Sequence, residues 1–304
     1  MPSSAGPDKS SLIDVRNCEV ASQSDIGLVR SQNQDSCAAL ERSDGARLLI
    51  VADGMGGHLG GETASRLTVE ALSSAFETAS SDGESPFSSH WLDDAIRAAN
   101  REVHTAAQAN PELRGMGTTV VCVLIDVDGR AFVSHAGDSR LYRARDGNLE
   151  RITEDHSVVA EMQRRGLLTE IEAAAHPRRN EIVRSVGVGG EVTPDTTELD
   201  LQPGDEVLLC SDGLCGVLDD PAIAAVLNEG REAGYPAGHI VAEWIARAND
   251  AGGPDNITAQ LLRTPVEPLT VKPTPTEAGG SFAALGMLGL LVIGLALFAW
   301  ILWN

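Results

Sequence analysis

The sequence has few basic residues, and its cysteines show no spacing typical of a metal site or a disulfide framework. Several common enzyme motifs are missing as well. Lys and Arg number 23 against 44 Asp and Glu, which gives a formal net charge of -21. Because so acidic a surface repels the phosphate backbone of DNA and RNA, we predict no nucleic-acid partner. A repeat of fixed period and a glycine-rich phosphate loop of the GxxxxGK type are also absent.

Cysteine occurs five times without forming a recognisable site. The spacing shows neither a CxxC pair nor a Cys/His array suited to zinc, and several of the residues lie in apolar runs. We therefore expect reduced core side chains at Cys18, Cys37, Cys122, Cys210 and Cys215.

The two ends of the sequence differ in hydrophobicity. Residues 1–11, MPSSAGPDKSS, lack the apolar run of a signal peptide. Residues 281–303 form 23 positions without a charge, and as a helix they would span roughly 35 Å, enough to cross a bilayer. A buried core helix is the alternative, but soluble helices of this length are seldom apolar on every face. We predict a transmembrane helix with Trp300 and Trp303 as interfacial anchors.

The segment before that helix predicts a tether. Four prolines between residues 264 and 280 indicate a semi-extended linker with a reach on the order of 45 Å. The predicted organisation is a disordered N-terminus at 1–14, a folded domain at 15–263, a Pro-rich linker at 264–280 and a transmembrane helix at 281–303. This order predicts a single-pass protein of the inner (cytoplasmic) membrane with its domain in the cytosol. Lys272 gives the positive-inside rule only weak support.

The body of the chain alternates short apolar runs with longer amphipathic stretches. Strand character is shown by RLLIVAD, TTVVCVLIDV, RAFVSHAGD and DEVLLCSDG. Helical periodicity is shown by ASRLTVEALSSAF and WLDDAIRAANREVHTAAQ. The mixture favours an α/β or α+β domain.

Aspartate recurs at strand ends and tight turns, most notably at Asp35, Asp53, Asp138, Asp212 and Asp255. Asp-Gly and Asp-Asn are ordinary turn dipeptides, so any one of them alone is more simply explained as a turn. We interpret four other aspartates in that way: Asp44, Asp126, Asp128 and Asp146.

Asp53 and Asp212 are different because each follows an apolar run that should be an interior strand. A carboxylate there is unfavourable unless it is paired or binds a cation. Oxygen ligands without clustered His or Cys favour magnesium or manganese over zinc. Two such ions would lower the pKa of a water toward neutrality. Arg30 has the fork that fits phosphate oxygens.

Seven motifs follow one another in a fixed order: Gly27-x-x-Arg30-x-x-Asn33-Gln34-Asp35, Asp53-Gly54-Met55-Gly56-Gly57-His58, Gly117-Thr118-Thr119, Gly137-Asp138-Ser139-Arg140, Asp155-His156-Ser157, Ser211-Asp212-Gly213-Leu214 and Asp255-Asn256-Ile257-Thr258. The series closely resembles the type 2C, or PPM, family of metal-dependent serine/threonine phosphatases, and its bacterial branch in particular. The resemblance implies an α+β fold, a four-layer αββα sandwich of two antiparallel sheets flanked by helices.

The resemblance also implies a site with two or three Mn²⁺ or Mg²⁺ ions. Asp53 would bridge two ions and the Gly54 carbonyl would complete one of them. Asp212 and Asp255 would hold the first ion, Asp35 would bind through water, and Asp138 would join Asp212 at a third. Asp53, Asp212 and the phosphate-binding Arg30 are the implied catalytic residues. Residues 156–186 match the family's mobile flap and include Arg164, Arg165, Arg178 and Arg179.

Two positions depart from the family pattern. Gln34 stands where many members have Glu, which removes an anionic neighbour of the metals. Met55 stands where eukaryotic members have a general-acid histidine, so the leaving group must take its proton elsewhere. His58 and His156 are candidates, although a structural role is the simpler interpretation of both.

The implied activity is hydrolysis of phosphoserine and phosphothreonine in proteins by a metal-bridging hydroxide. No phosphoenzyme is expected, in keeping with the absence of a CxxxxxR motif. Implied partners are phosphorylated proteins, including a Ser/Thr kinase. One alternative is a catalytically silent phosphoprotein-binding module, against which the intact set Asp53, Asp212 and Asp255 argues. A membrane scaffold with a structural metal is another, and it leaves Arg30 and the flap arginines unexplained.

Overall fold

The computed structural model describes residues 13–80 and 85–266, apart from the side chains of His58 and Ala174. Residues 1–12, most of the predicted linker and the predicted transmembrane helix at 281–303 lie outside the described residues, so those assignments stay predictions. Across the ranges that are described, the helices are too short or too polar to span a bilayer.

The described residues form eleven strands in two sheets. The strands are β1 (Glu19–Asp25), β2 (Asp35–Glu41), β3 (Arg47–Met55), β4 (Gly117–Thr118), β5 (Val120–Ile125), β6 (Ala131–Ala136), β7 (Arg140–Arg145), β8 (Asn148–Arg151), β9 (Asp195–Leu199), β10 (Glu206–Cys210) and β11 (Ile257–Arg263). One sheet has five strands in the order β1-β11-β10-β7-β8. The other has six, with β4 paired to β3 beside the path β2-β3-β5-β6-β9. All of these pairings are antiparallel.

The helices of the described ranges are α1 (Gly57–Thr78), α2 (Ser89–Ala109), α3 (Val158–Arg164), α4 (Glu170–Ala174), α5 (Asp212–Cys215), α6 (Asp220–Glu232) and α7 (Ala237–Asp250). Polar side chains cap several of them, because the first N–H groups of a helix have no partner within it. Ser88 accepts from Trp91 N at the start of α2, and Asp219 accepts from Ala222 N at the start of α6.

Three apolar layers hold the elements together. Alternate side chains of β3 and β5 face opposite ways, so Ile50 packs under α1 and α2 while Val51 packs between the sheets. In β10, Leu209 joins the layer between the sheets and Leu208 faces the helices α6 and α7. The architecture is therefore helix, sheet, sheet, helix, and the predicted α+β fold with two antiparallel sheets is confirmed.

Other sequence predictions can be compared directly with the fold. The four apolar runs form strands and the two amphipathic stretches form α1 and α2. All five cysteines are free, and Cys37 alone among them is only partly buried. Ile13 and Thr264, just outside the predicted domain limits, are both buried.

The order of the strands brings the predicted site residues to one end of the sandwich. Asp53 lies near the end of β3, directly opposite Asp35 at the start of β2. Asp138 follows β6 and Asp212 follows β10, whereas Asp255 precedes β11. Neighbouring antiparallel strands run in opposite directions, so the end of one strand and the start of the next share a sheet edge.

Candidate functional site

A cleft of about 390 Å³ opens at this end of the sandwich. It contains five of the predicted site residues, namely Arg30, Asp53, Gly54, Asp212 and Asp255. The remaining lining comes from Ser31, Gln32, Gln34, Met55, Gly56, Gly57, Asn180, Ile182 and Asn256. Asp35 and Asp138 do not line the cleft, but their charges act on Asp212 or Asp53 inside it.

The backbone around Asp53 is fixed on both sides. Asp53 O accepts from Thr119 N at 2.8 Å and from Thr118 Oγ1 at 2.8 Å, and Asp53 N donates to Thr119 Oγ1 at 3.0 Å. Thr119 Oγ1 also bonds Ser139 Oγ at 2.7 Å. A single buried hydroxyl therefore connects the Asp53 strand to the loop that carries Asp138.

Gly54 allows α1 to approach the end of β3. A Cβ atom built on Gly54 would lie 2.1 Å from Gly61 O, closer than any side chain tolerates. Gly54 N donates to Gln34 O at 3.1 Å, which ties the residue to the start of β2 as well. The glycine following Asp53 is thus required by the close packing of α1 against β3.

Asp35 is the endpoint of a directed chain of hydroxyl groups. Its Oδ2 accepts from Ser211 Oγ at 2.8 Å and from Thr258 Oγ1 at 2.7 Å. Because Thr258 donates its only hydroxyl proton to Asp35, Ser24 Oγ must be the donor to Thr258 Oγ1, at 2.7 Å. Ser24 Oγ in turn accepts from Asn33 Nδ2 at 2.8 Å. Every proton points toward the carboxyl group, which favours its ionised form.

Without metal, the carboxyl groups of this cluster are difficult to ionise. Burial, reinforced by neighbouring charges, raises the pKa of Asp35 and that of Asp138 to about 7. The pKa of Asp212 is raised and that of Asp53 is raised well above its ordinary value, for the same reasons. The charges of Asp35, Asp212 and Asp138 all act on Asp53 and help to raise its pKa.

Three carboxylate oxygens of this cluster are buried and have no hydrogen-bond partner among the described residues: Asp35 Oδ1, Asp138 Oδ1 and Asp212 Oδ1. Unpaired buried acceptors are costly, and several of them converging on one place are typical of a site for hard cations. The donor set consists of oxygen atoms, which Mg²⁺ and Mn²⁺ prefer. The residues present therefore fit divalent ions.

Arg30 lies at the rim of the cleft. Its Nη2 donates to Asp255 Oδ2 at 2.6 Å, and half of its side chain is exposed. The loop that carries Arg30 is fixed to the Asp255 loop: Leu28 N donates to Gly253 O at 2.8 Å. Gly27 has φ 77°, and a Cβ there would lie 2.1 Å from Asp255 O. The guanidinium group is thus held beside the carboxylates, with exposed N–H groups left for an anion.

Asn256 is the residue that holds the Arg30 loop in shape. Its Nδ2 donates to Ile26 O and Gln32 O, both at 2.9 Å, and its Oδ1 accepts from Gln34 N at 2.8 Å. The sequence motifs contained Asn256, Thr119, Ser211 and Thr258 but assigned no role to them. Their positions next to the site aspartates were the signal that could have identified them.

The flap region contributes to the cleft through Asn180 and Ile182. None of the five arginines of the flap lines it, including the four named from the sequence. Three of those four pair with acidic neighbours: Arg164 with Glu154 and Glu161, Arg165 with Glu161, and Arg178 with Glu181. Arg179 is exposed. The flap lies beside the cleft as expected, but in this structure its positive charge is largely neutralised within the flap itself.

The structure also bears on the departures from the family pattern. Gln34 Nε2 donates to Gly57 O at 2.7 Å, a bond that a glutamate could not make. His156 lies outside the cleft and both of its ring nitrogens have partners, Gly137 N and Asp195 Oδ2. This supports the structural interpretation of His156. The side chain of His58 lies outside the described residues.

Three comparisons with known proteins agree with this geometry. A family model for protein phosphatase 2C matches residues 29–261. The serine/threonine phosphatase stp of Listeria monocytogenes is 35% identical over 240 residues, which cover 79% of this chain and 93% of that protein. The crystal structure of the Mycobacterium tuberculosis serine/threonine phosphatase PstP/Ppp has 37% identity and a TM-score of 0.72, over 82% of this chain and 99% of the other.

A second solved structure holds metal. It is the catalytic domain of the phosphatase PstP in complex with two manganese ions, with 35% identity and a TM-score of 0.71 over 84% of this chain and 99% of that one.

The raised carboxyl pKa values predict an inverted pH dependence for the metal-free protein. Asp35 and Asp138 have pKa values of about 7 in the folded protein against an ordinary value of 3.8, so the folded state binds more protons between these two pH values. The free energy of unfolding should therefore fall as pH rises from about 4 to 7, by more than about 2 kcal/mol. Urea denaturation in EDTA at several pH values between 4 and 7 measures this change in the free energy of unfolding.

Saturating Mn²⁺ should remove that decline, because the ion favours the ionised carboxylates. Asp35→Asn should flatten the profile in EDTA by removing one titrating group. A free energy of unfolding that stays level or rises between pH 4 and 7 in EDTA would contradict the arrangement of charges described above.

Proposed function

The chain belongs to the protein phosphatase 2C family and is a serine/threonine phosphatase, and from this premise we propose that it hydrolyses phosphoserine and phosphothreonine in proteins with two or three Mn²⁺ or Mg²⁺ ions and without a phosphoenzyme. The observation that carries the proposal is the cluster of carboxylates at one end of the sandwich: Asp53, Asp212 and Asp255 line the cleft, and buried oxygens without a partner belong to Asp212, Asp35 and Asp138. Such a cluster is electrostatically unfavourable unless divalent cations neutralise it.

The residues that would hold the ions are those whose oxygens face the cleft or lie just behind it. Asp53 would bridge two ions with the Gly54 carbonyl beside it, and Asp212 and Asp255 would bind the first. Asp35 would act through water, and Asp138 would share a third ion with Asp212. When bound, such ions lower the pKa of coordinated water, so that hydroxide becomes available near neutral pH. The metal complex of a related catalytic domain supports this assignment.

Arg30 would bind the phosphate group of the substrate. In the absence of an anion its guanidinium group is paired with Asp255. A phosphate beside the cleft is also an anion and can accept two N–H bonds in parallel, so it can take the place of Asp255. Asp255 is then free to bind a cation, which couples phosphate binding to metal binding.

The lining of the cleft supports direct hydrolysis. Among the residues whose side chains the structure describes, no Cys lines it, and Ser31 at the exposed rim is the only hydroxyl side chain of that lining. A thiol nucleophile would need a cysteine next to the phosphate site. A catalytically silent binding module is the weaker explanation, because Asp53, Asp212 and Asp255 are all present and line one cleft.

Replacing Asp53 or Asp212 by Asn should lower kcat by about 10² or more, because a lost ion forfeits several kcal/mol of charge stabilisation. Hydrolysis of p-nitrophenyl phosphate and of a phosphothreonine peptide, each with and without Mn²⁺, measures the effect. Asp146→Asn, in an exposed turn with φ 52°, is the matched control and should keep full activity. Activity that survives both substitutions and resists chelation would rule out the metal site.

Replacing Arg30 by Ala should act mainly on KM, raising it about tenfold or more, since a charge-assisted bond contributes on the order of 1.5–3 kcal/mol. Arg30→Lys keeps the charge without the fork and should give an intermediate value. Arg66→Ala, in an exposed ion pair on α1, is the control. If KM of Arg30→Ala matched that of the unmodified protein, Arg30 would not be the phosphate ligand.

The tail beyond the domain is proposed to anchor it to the inner membrane, with the domain in the cytosol and a membrane Ser/Thr kinase among its phosphoprotein partners. The described chain leaves the sheet at the end opposite the cleft, since β11 begins beside Asp255 and ends at Arg263. Thr264 N and Pro265 O still bond Asp205 and Gly204, so a chain ending at Val266 keeps the fold complete.

Residues 1–266 should therefore be active and found in the supernatant after ultracentrifugation, whereas the full chain should sediment with membranes. Carbonate washing distinguishes an integral segment from a peripheral contact. A truncated protein that still sedimented with membranes, or a full chain released by carbonate, would contradict the anchor.

A further inference from the structure

A cluster of two histidines, an arginine and an aspartate lies outside the cleft, at the base of the flap. His135 is on β6, His156 is at the first position of the flap, Arg184 is near its last, and Asp195 begins β9. The rings of His135 and His156 stack with their centroids 4.5 Å apart. The side chain of His156 is almost fully buried.

On one side, His156 is hydrogen-bonded to the loop that carries Asp138. Its Nδ1 accepts from Gly137 N at 3.2 Å, and its backbone N donates to Gly137 O at 2.9 Å. Gly137 has φ 119°, and a Cβ there would lie 2.6 Å from the Thr119 side chain. The loop before Asp138 is thus confined between Thr119 and His156.

On the other side, His156 closes the two ends of the flap. Its Nε2 lies 3.1 Å from Asp195 Oδ2, and the other oxygen of Asp195 pairs with Arg184 on the returning end of the flap. The backbone repeats this closure: Val183 N donates to His156 O at 2.8 Å and Val158 N donates to Glu181 O at 2.9 Å.

The atoms of His135, His156 and Asp195 are close enough to suggest a zinc site, since one ligand atom of each lies within 4.8 Å of the others. The hydrogen bonds argue against it. Nδ1 of His156 accepts a hydrogen bond from Gly137 N, and Nε2 lies 3.1 Å from Asp195 Oδ2 and 3.0 Å from Arg184 Nη1, so both ring nitrogens already have partners. Arg184 already supplies a cation next to Asp195. Burial lowers the pKa of His156 to about 4, so the ring stays neutral at physiological pH.

We propose that His156 is a positioning residue that couples the flap to the Asp138 loop through its two ring nitrogens. This inference rests on the proposed function, because it assigns His156 to the support of the third metal position and of the substrate-facing flap. Nδ1 fixes the loop, and Nε2 fixes the flap through Asp195 and Arg184. Movement of one segment is thereby transmitted to the other.

Two substitutions separate the two contacts. In His156→Asn the amide oxygen can take the place of Nδ1 and keep the bond from Gly137, while the contact to Asp195 is lost. In His156→Gln the longer amide can reach Asp195, while the acceptor for Gly137 is lost. Asp195→Ala removes the same flap contact by changing the other partner, whose side chain is about half exposed. This variant tests the contact if a His156 variant does not fold.

Three measurements report on the two segments: Mn²⁺ binding by calorimetry, tryptic cleavage at the flap arginines, and KM for a phosphopeptide compared with p-nitrophenyl phosphate. His156→Gln should lower the affinity for the most weakly bound Mn²⁺ by about tenfold, the smaller effect expected when a residue that supports a metal ligand is replaced. The rate of tryptic cleavage in the flap should change little. His156→Asn and Asp195→Ala should speed flap cleavage and raise the phosphopeptide KM severalfold, with Mn²⁺ affinity retained.

His239, exposed on α7, provides the matched control, and His239→Asn and His239→Gln should change none of the three measurements. If His156→Asn and His156→Gln changed the three measurements in the same way, His156 would act only through packing and the proposal would be overturned. Tight Zn²⁺ binding that disappears in Asp195→Ala would overturn it in favour of a metal site. Cleavage and Mn²⁺ binding do not require turnover, so they test the coupling even if the proposed phosphatase activity fails.

Discussion

Mutual repulsion among carboxyl groups at one end of the sandwich is the constraint on which the rest of the structure depends. Burial raises the pKa of Asp35, Asp53, Asp138 and Asp212, and the charges of neighbouring aspartates raise it further. A buried cluster of carboxyl groups is stable only when protons or cations neutralise part of its charge. Divalent ions resolve the repulsion and convert the same arrangement into a site for hydrolysis.

Holding like charges together requires a rigid frame, and the two sheets provide it through short polar contacts. Thr119 links the Asp53 strand to the Asp138 loop, and Ser211 joins Asp35 to the segment before α5. Asn256 shapes the loop that presents Arg30. Each of these side chains belongs to an element neighbouring an aspartate, so the frame and the charges are built from the same short segments.

Much of this arrangement follows from the sequence. Long apolar runs such as that before Asp53 predict central strands because they are buried on both faces, and the ordered motifs place the aspartates at the ends of those strands. The partners of long polar side chains could not be predicted in the same way. Arg164 pairs with Glu154 ten residues away, and His156 contacts both Gly137 and Asp195, because such contacts depend on tertiary placement rather than on periodicity.

The most direct measurement is a crystal structure of residues 1–266 grown with Mn²⁺, with anomalous scattering used to locate the ions. The account predicts at least two anomalous peaks in the cleft, both in contact with the Asp53 carboxylate and one shared with Asp212. A well-ordered cleft without peaks at saturating Mn²⁺, or peaks bound only by residues away from Asp53, would contradict it.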